Sequence, residues 1–189
     1  MDTSFVVDVY DIDLFDNNAA VVNTIHSKGA KAICYISVGS WEDWRPDAGD
    51  FPSSVKGNNY DNWIGEKWLD IRALSVIGPI IEKRLDMCKE KGFDGVEPDN
   101  IDGYQNDTGF PLTADEQITF NKWLANEAHK RGLSIGLKND PDQALALHSY
   151  FDWALTEDCY VYEWCNDMSI FITDGKAVFQ AEYTDTNVT

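Results

Sequence analysis

The stretch Gly92–Tyr104, GFDGVEPDNIDGY, changes character halfway along. It begins like a buried strand and ends as a loop, and it carries four acidic groups, Asp94, Glu97, Asp99 and Asp102. A lone carboxylate in such a place ordinarily caps a helix or faces water. Glu97, Asp99 and Asn100 stand where strand gives way to loop, so their meaning depends on what the ends of the other strands carry.

Outward from this stretch the apolar period switches repeatedly between strand-like and helix-like. Before it come the strand FVVDVYDI, a helix over NNAAVVNTIHSKG that stops at Gly29, the strand KAICYISV, and a long loop, WEDWRPDAGDFPSSVKGNNYDNW. The strand KWLDI and a helix over SVIGPIIEKRLDMCKEKG complete that half. After it, TADEQITFNKWLANEAHKRG opens as a helix with Thr113 and Glu116 in capping-box spacing. LSIGL, a short helix near PDQALALHS, FDWAL, a segment through WCNDMSIFITDG and a closing KAVFQAEY follow. Seven strands thus alternate with helices, which implies parallel strands joined by right-handed crossovers in an α/β sheet or barrel. No GxGxxG or Walker loop follows any strand, which counts against a nucleotide-binding open sheet.

Polar chemistry follows the strands instead. Asp11 and Asp13 end the first, Ser37 and Gly39 the second, and Asp70 and Arg72 the third. Glu97, Asp99 and Asn100 end the fourth, Lys138, Asn139 and Asp140 the fifth, Glu157 and Asp158 the sixth, Glu182 and Tyr183 the last. In a (β/α) barrel those ends meet at one face, and that face holds the active site.

Composition narrows the partners. A chain of 189 residues with 43% hydrophobic residues is long enough for one domain with a substantial core. Fifteen basic against thirty-three acidic residues give a formal charge of −18, which disfavours nucleic acid and anionic membrane and favours cationic ligands. The same excess of acid also serves solubility. No run approaches the roughly eighteen apolar residues of a membrane span, and MDTSFVVDVYDID lacks the basic start and apolar stretch of a signal peptide.

Cys34, Cys88, Cys159 and Cys165 form no CxxC pair, so a structural zinc site is not expected. Cys159 and Cys165 are spaced to close a small disulfide loop if the protein is secreted, or stand as separate thiols; Cys34 and Cys88 read as buried core thiols. His26, His129 and His148 fall on helices away from strand ends, which argues against a catalytic or metal-binding histidine. Trp68 and Trp123 read as core.

The stretches DVYDIDLFD, ICYISVGSWEDWRPD, WLDIR, GFDGVEPDNIDGY, GLKND and AVFQAEY, in this order and over essentially the whole chain, resemble glycoside hydrolase family 114, the endo-α-1,4-polygalactosaminidase family. The resemblance implies a (β/α)8 barrel of the TIM type, one domain over residues 1–189, a secreted enzyme without cofactor, and hydrolysis of α-1,4-linked galactosamine polymers. Members of the family usually carry a tryptophan-rich strand before DVYDID, and this chain begins too late to contain it. A barrel short of that strand has two unpaired edges, which a local rearrangement or self-association would have to cover. Between the later cysteines, TEDCYVYEWCNDMSIFI is individual to this sequence.

The resemblance also assigns the catalytic pair as Asp99, in EPDN, and Glu157, in LTED. Glycosidic cleavage needs one ionised and one protonated carboxyl group across the scissile bond. Asn100 and the stiff Pro98 suit Asp99 to the nucleophile's part, and nearby Trp153, Tyr160 and Tyr162 suggest an apolar setting for Glu157 as acid/base. A deacetylated galactosamine polymer carries an ammonium on each such sugar, and Asp11, Asp13, Glu97, Asp102 and Glu182 are candidate counter-charges. Lys138 either neutralises Asp99 or Glu97 or holds a loop. Trp41, Trp44, Trp63 and Tyr104 are candidate platforms for a pyranose ring, and Asn100 and Asn139 candidate polar contacts. Two other readings compete: a non-catalytic sugar-binding barrel, and a metal-dependent hydrolase using Glu97, Asp99, Asn100 and Glu157 as oxygen ligands.

Overall fold

The computed structural model describes residues 1–61 and 63–183. In chain order they form β1 (Val9–Asp13), α1 (Ala19–Ser27), β2 (Lys31–Ser37), β3 (Ser40–Glu42), β4 (Lys56–Asn59) and β5 (Glu66–Leu69). Then come α2 (Leu74–Lys91), β6 (Gly95–Asp99), α3 (Ala114–Lys130), β7 (Ser134–Lys138), α4 (Ala144–Leu147), β8 (Trp153–Glu157), α5 (Ser169–Thr173) and β9 (Val178–Ala181). Six strands make one parallel sheet in the order β1-β2-β6-β7-β8-β9, curled into an open barrel with helices outside. Among the described residues β1 and β9 do not pair with each other.

All seven stretches read as strands are strands, but KWLDI lies apart from the other six. As β5 it pairs antiparallel with β3 and β4 in a separate sheet, while β2 pairs directly with β6, Tyr35 opposite Glu97 and Ser37 opposite Asp99. The long loop after β2 therefore carries two strands of this small sheet, β3 and β4.

Strand parity divides the parallel sheet into two faces. Tyr10 and Ile12, Ala32, Cys34 and Ile36, Val96, Ile135 and Leu137, and Ala154 belong to the buried apolar cluster under the helices. The opposite parity carries Asp11, Tyr35, Glu97, Asp99, Lys138 and Glu157. One sequence period thus builds the core and the chemistry at once.

The helices are set by ordinary capping. Asn18 accepts from Ala20 and Val21 at the start of α1, and Thr113 and Glu116 form the expected capping box of α3. Gly92, at φ 90°, ends α2 in a left-handed conformation that suits glycine.

Cys34 and Cys88 are not the free core thiols expected: they form a disulfide between β2 and α2. Cys34 shares the helix-facing parity of Ala32 and Ile36, and Cys88 lies on the buried stripe of α2 with Ile77, Ile81 and Leu85, so the two sulfurs face each other. Cys159 and Cys165 form the second disulfide, as one of the two readings had it.

All three histidines brace the barrel at the end away from the polar strand ends. His26 meets Asp94 at 2.8 Å, His129 meets Asp152 at 2.8 Å and His148 meets Asp174 at 2.5 Å. In each case a helix preceding one strand is tied to the aspartate preceding the neighbouring strand. Asp94 and Asp152 also accept the backbone N–H groups of Ala32 and Ile135, so one carboxylate clamps a helix and two strands.

Candidate active site

Three strand ends are turned by the same device. Asn100, Asn139 and Asp158, which directly follow Asp99, Lys138 and Glu157, have φ of 63°, 50° and 52°. Non-glycine residues rarely take this left-handed conformation, and Asn and Asp tolerate it best. The chain therefore breaks sharply after each of the three residues. At Gly39 the backbone comes so close to Asn100 that a Cβ would fall 1.6 Å from its carbonyl oxygen, so no other residue fits.

Lys138 lies at the centre of the cluster. It is 4% exposed, and its ammonium reaches Glu97 Oε1 at 2.7 Å, Asp99 Oδ1 at 3.0 Å and Glu157 Oε2 at 3.3 Å. Burial alone would make it easier to deprotonate, but Asp99, Glu97 and Glu157 more than offset that and hold the ammonium above its ordinary pKa. The oxygens of Asp99 and Glu157 that share it are thus no farther apart than about 6.3 Å, the sum of the two contacts.

Each remaining carboxylate oxygen has its own partner. Tyr35 donates to Asp99 Oδ2 at 2.9 Å, and Tyr183 donates to Glu157 Oε1 at 2.6 Å. Asn139 Nδ2 donates to Glu157 Oε2 at 3.2 Å, while Asn139 Oδ1 accepts the Glu157 backbone N–H at 2.9 Å. Burial and the neighbouring carboxylate raise both phenols, that of Tyr35 beside Asp99 and that of Tyr183 beside Glu157, so both remain donors at neutral pH. The apolar setting expected around Glu157 is replaced by a polar one, with Tyr160 and Tyr162 largely exposed beyond the strand end.

A cleft of about 490 Å³ opens over this cluster. Asp99, Asn100, Lys138, Asn139 and Glu157 line it together with Tyr35, Tyr183, Asp102 and Glu66. Trp44 and Trp63, 50% and 61% exposed, stand at its wall. Asn100 is buried and donates to Ser37 Oγ and Ser40 Oγ, each at 3.0 Å, and to Glu66 Oε1 at 3.3 Å, which links the strand end to the small sheet.

The other candidates have different surroundings. Asp13 accepts from the backbone of Phe15 and Asp16 and pairs with Arg45 at 2.7 Å, which leaves it a structural anchor. Trp41 donates to the Ala48 carbonyl and carries the Lys56 ammonium 3.7 Å over its ring, away from the cleft lining. Tyr104 donates to Asp140 Oδ1 at 3.3 Å behind the cleft, and Glu182 accepts from the Tyr160 backbone beside the second disulfide. Trp68 is buried and stacks on Tyr60, and Trp123 packs against the core.

Asp11 and Glu97 lie deeper in the barrel. Asp11 keeps accessible surface beside the unpaired edge of β1 but is crowded by protein on its inner side. Desolvation there and the hydrogen-bonded Glu97 carboxylate push it up to about 9. Sequence reasoning assigned no role to Tyr35 or Glu66 and marked Tyr183 only as a polar group at the end of the last strand. For Tyr35 the signal was available: it breaks an apolar run on the parity opposite to Ala32, Cys34 and Ile36. Glu66 had none, because its partners, Ser40 and Asn100, come from two segments distant in sequence. Among the described residues, the grouping of metal-ligand types is Cys159, Cys165 and Glu182, and its two sulfurs are committed to a disulfide.

The chain resembles known proteins in sequence and in fold. No curated protein matches the sequence. The crystal structure of Aspergillus fumigatus Ega3 in complex with galactosamine superposes with a TM-score of 0.95 at 44% identity, covering 100% of this chain and 75% of that one. The glycoside hydrolase domain of PelA from Pseudomonas aeruginosa matches at TM-score 0.68 and 15% identity, over 90% of this chain and 74% of that one, a likeness of fold. The family profile described as Glycoside-hydrolase family GH114 matches residues 1–189, and the chain belongs to that family of glycoside hydrolases.

Proposed function

We propose that this enzyme hydrolyses α-1,4-linked galactosamine-containing polysaccharide by double displacement, with Asp99 as nucleophile and Glu157 as general acid/base. The observation that carries the reading is the shared contact with Lys138, which keeps one oxygen of each carboxyl group within about 6.3 Å of the other and so favours the shorter spacing of a retaining enzyme over the roughly 6.5 to 9.5 Å an inverting one leaves for a water. Asp99 attacks the anomeric carbon while Glu157 gives its proton to the departing glycosidic oxygen. Water then attacks the same carbon, passes a proton to Glu157 and releases Asp99. The Tyr183 hydroxyl both donates and accepts, so it suits Glu157 in either protonation state. Lys138, Tyr35 and Asn139 act as positioning residues. Galactosamine in the Ega3 complex and the acidic cleft here support an amino-sugar substrate.

Two disulfides support an extracellular setting, and among the described residues no helix is long and apolar enough to cross a membrane. Among the described residues β1 and β9 each keep an unpaired edge, which favours the alternative of a sugar-binding barrel without activity, or self-association through those edges. Asp99→Asn and Glu157→Gln test the main reading: each is expected to lose most reducing-end release from galactosamine polymer while keeping its circular dichroism. Near-normal rates in either folded variant would overturn the assignment.

A further inference from the structure

Five carboxylates line the cleft, and four of them are already engaged. Glu42 is paired with Arg45, Glu66 accepts from Ser40 and Asn100, and Asp99 and Glu157 share Lys138 and their phenols. Asp102 is the exception among the described residues. No hydrogen bond or ion pair from another residue reaches its side chain, although it stands at the start of a short 3-10 turn, Gly103–Gln105, where an aspartate ordinarily caps. Its own backbone N–H supplies the hydrogen bond its carboxylate receives, and a partly buried carboxylate that no neighbouring residue pairs is costly unless a ligand supplies a partner.

We infer that Asp102 is the receptor for a substrate ammonium, the residue that makes the cleft select a free amino sugar over its N-acetylated form. The inference rests on the reading of the chain as a galactosamine-polymer hydrolase and adds the group that recognises the amine. Lys138 attracts Asp102 only from a distance, its contacts being spent on Glu97, Asp99 and Glu157, so an entering cation meets a negative charge that no ion pair neutralises. Trp44 and Trp63, exposed at the same cleft, offer planes to the apolar face of the ring.

Several groups face Asp102 from other elements: Asp99 from β6, Lys138 from β7, Glu157 from β8, Asp140 after β7, and Tyr60 from the small-sheet loop. Desolvation, with Asp99 adding to it, pushes the Asp102 carboxyl up to about 6. A protonated carboxyl has little attraction for ammonium, so affinity should rise as pH rises through about 6. Amines of the substrate's kind lose their proton at roughly pH 8, so the range below pH 7 isolates the carboxyl.

The test is calorimetric binding of galactosamine, which holds no bond to cleave, between pH 5 and 7, with N-acetylgalactosamine as control. Wild type should favour galactosamine and bind it more tightly at pH 7 than at pH 5. Asp102→Asn, its fold checked by circular dichroism, should weaken galactosamine about tenfold, flatten most of that pH dependence and leave N-acetylgalactosamine unchanged. Wild-type preference for galactosamine combined with an unaltered Asp102→Asn profile overturns this inference alone. A wild-type affinity that is flat from pH 5 to 7 also overturns it, with no variant needed. Failure of wild type to bind galactosamine at all overturns the functional reading, and this inference falls with it.

Discussion

Asn139 and Glu157 hold each other twice: the amide donates to the carboxylate at 3.2 Å, and its oxygen accepts the Glu157 backbone N–H at 2.9 Å. An amide that fixes both the backbone and the side chain of the proposed acid/base determines its aim. Asn139→Gly keeps the left-handed backbone without steric strain and removes these two bonds. It is expected to lower kcat about 10- to 100-fold with little change in KM, as measured by initial rates. An equal rise in KM at unchanged kcat would assign Asn139 to substrate binding instead.

Lys138→Met would leave Glu97, Asp99 and Glu157 facing one another without their cation. Stability should fall by about 3 to 5 kcal/mol in denaturant unfolding, and activity by more than about 100-fold. Adding Glu97→Gln should restore part of the stability by removing one charge, but not the activity. A Lys138→Met protein as stable as wild type would contradict the three-way contact.

Asp140 gives a pH dependence with a definite sign. It is fully buried, and desolvation, with Asp102 adding to it, pushes it well above the ordinary carboxyl range to about 8. The folded state therefore binds a proton that the unfolded state releases, so this contribution to stability is complete below about pH 4 and is lost as pH rises toward 8. The slope for one proton is at most about 1.4 kcal/mol per pH unit. Asp140→Asn should flatten that decline in melts taken from pH 4 to 8, and an unchanged decline would count against it.

Reduction should cost the fold more than local fraying. Losing the bond between β2 and α2 through Cys34→Ala with Cys88→Ala is expected to lower stability by about 2 to 4 kcal/mol, read by thermal or urea melts. Loss of Cys159–Cys165, which closes a loop of sequence separation 6, should cost less.

Much of this architecture was legible because one strand period encodes it. Parity alone sorts Cys34 and Ile36 from Tyr35, and Leu137 from Lys138, into core and cleft, and the left-handed positions that follow the three strands, Asn100, Asn139 and Asp158, fall on residues that sequence reading had marked as polar strand ends. Pairing between distant segments was not legible. Nothing local in KWLDI says that its partners run antiparallel, and the Cys34–Cys88 bond depends on the placement of α2. Asp13 looked like Asp11 in sequence but is spent on Arg45, whose position follows from the loop after β3. Arg84 is hidden in the same way: it is 1% exposed in an apolar stripe and bound to Asp47 and the Ser37 carbonyl, a contact set by the tertiary fold.

The stereochemistry of the first product tests the central claim most directly. Time-resolved proton NMR of an α-1,4-linked galactosamine oligosaccharide, read before the new reducing ends equilibrate, distinguishes one displacement from two. Double displacement through Asp99 predicts that the first-formed reducing end is the α anomer. A first-formed β anomer, or no cleavage by protein shown to be folded, would contradict it.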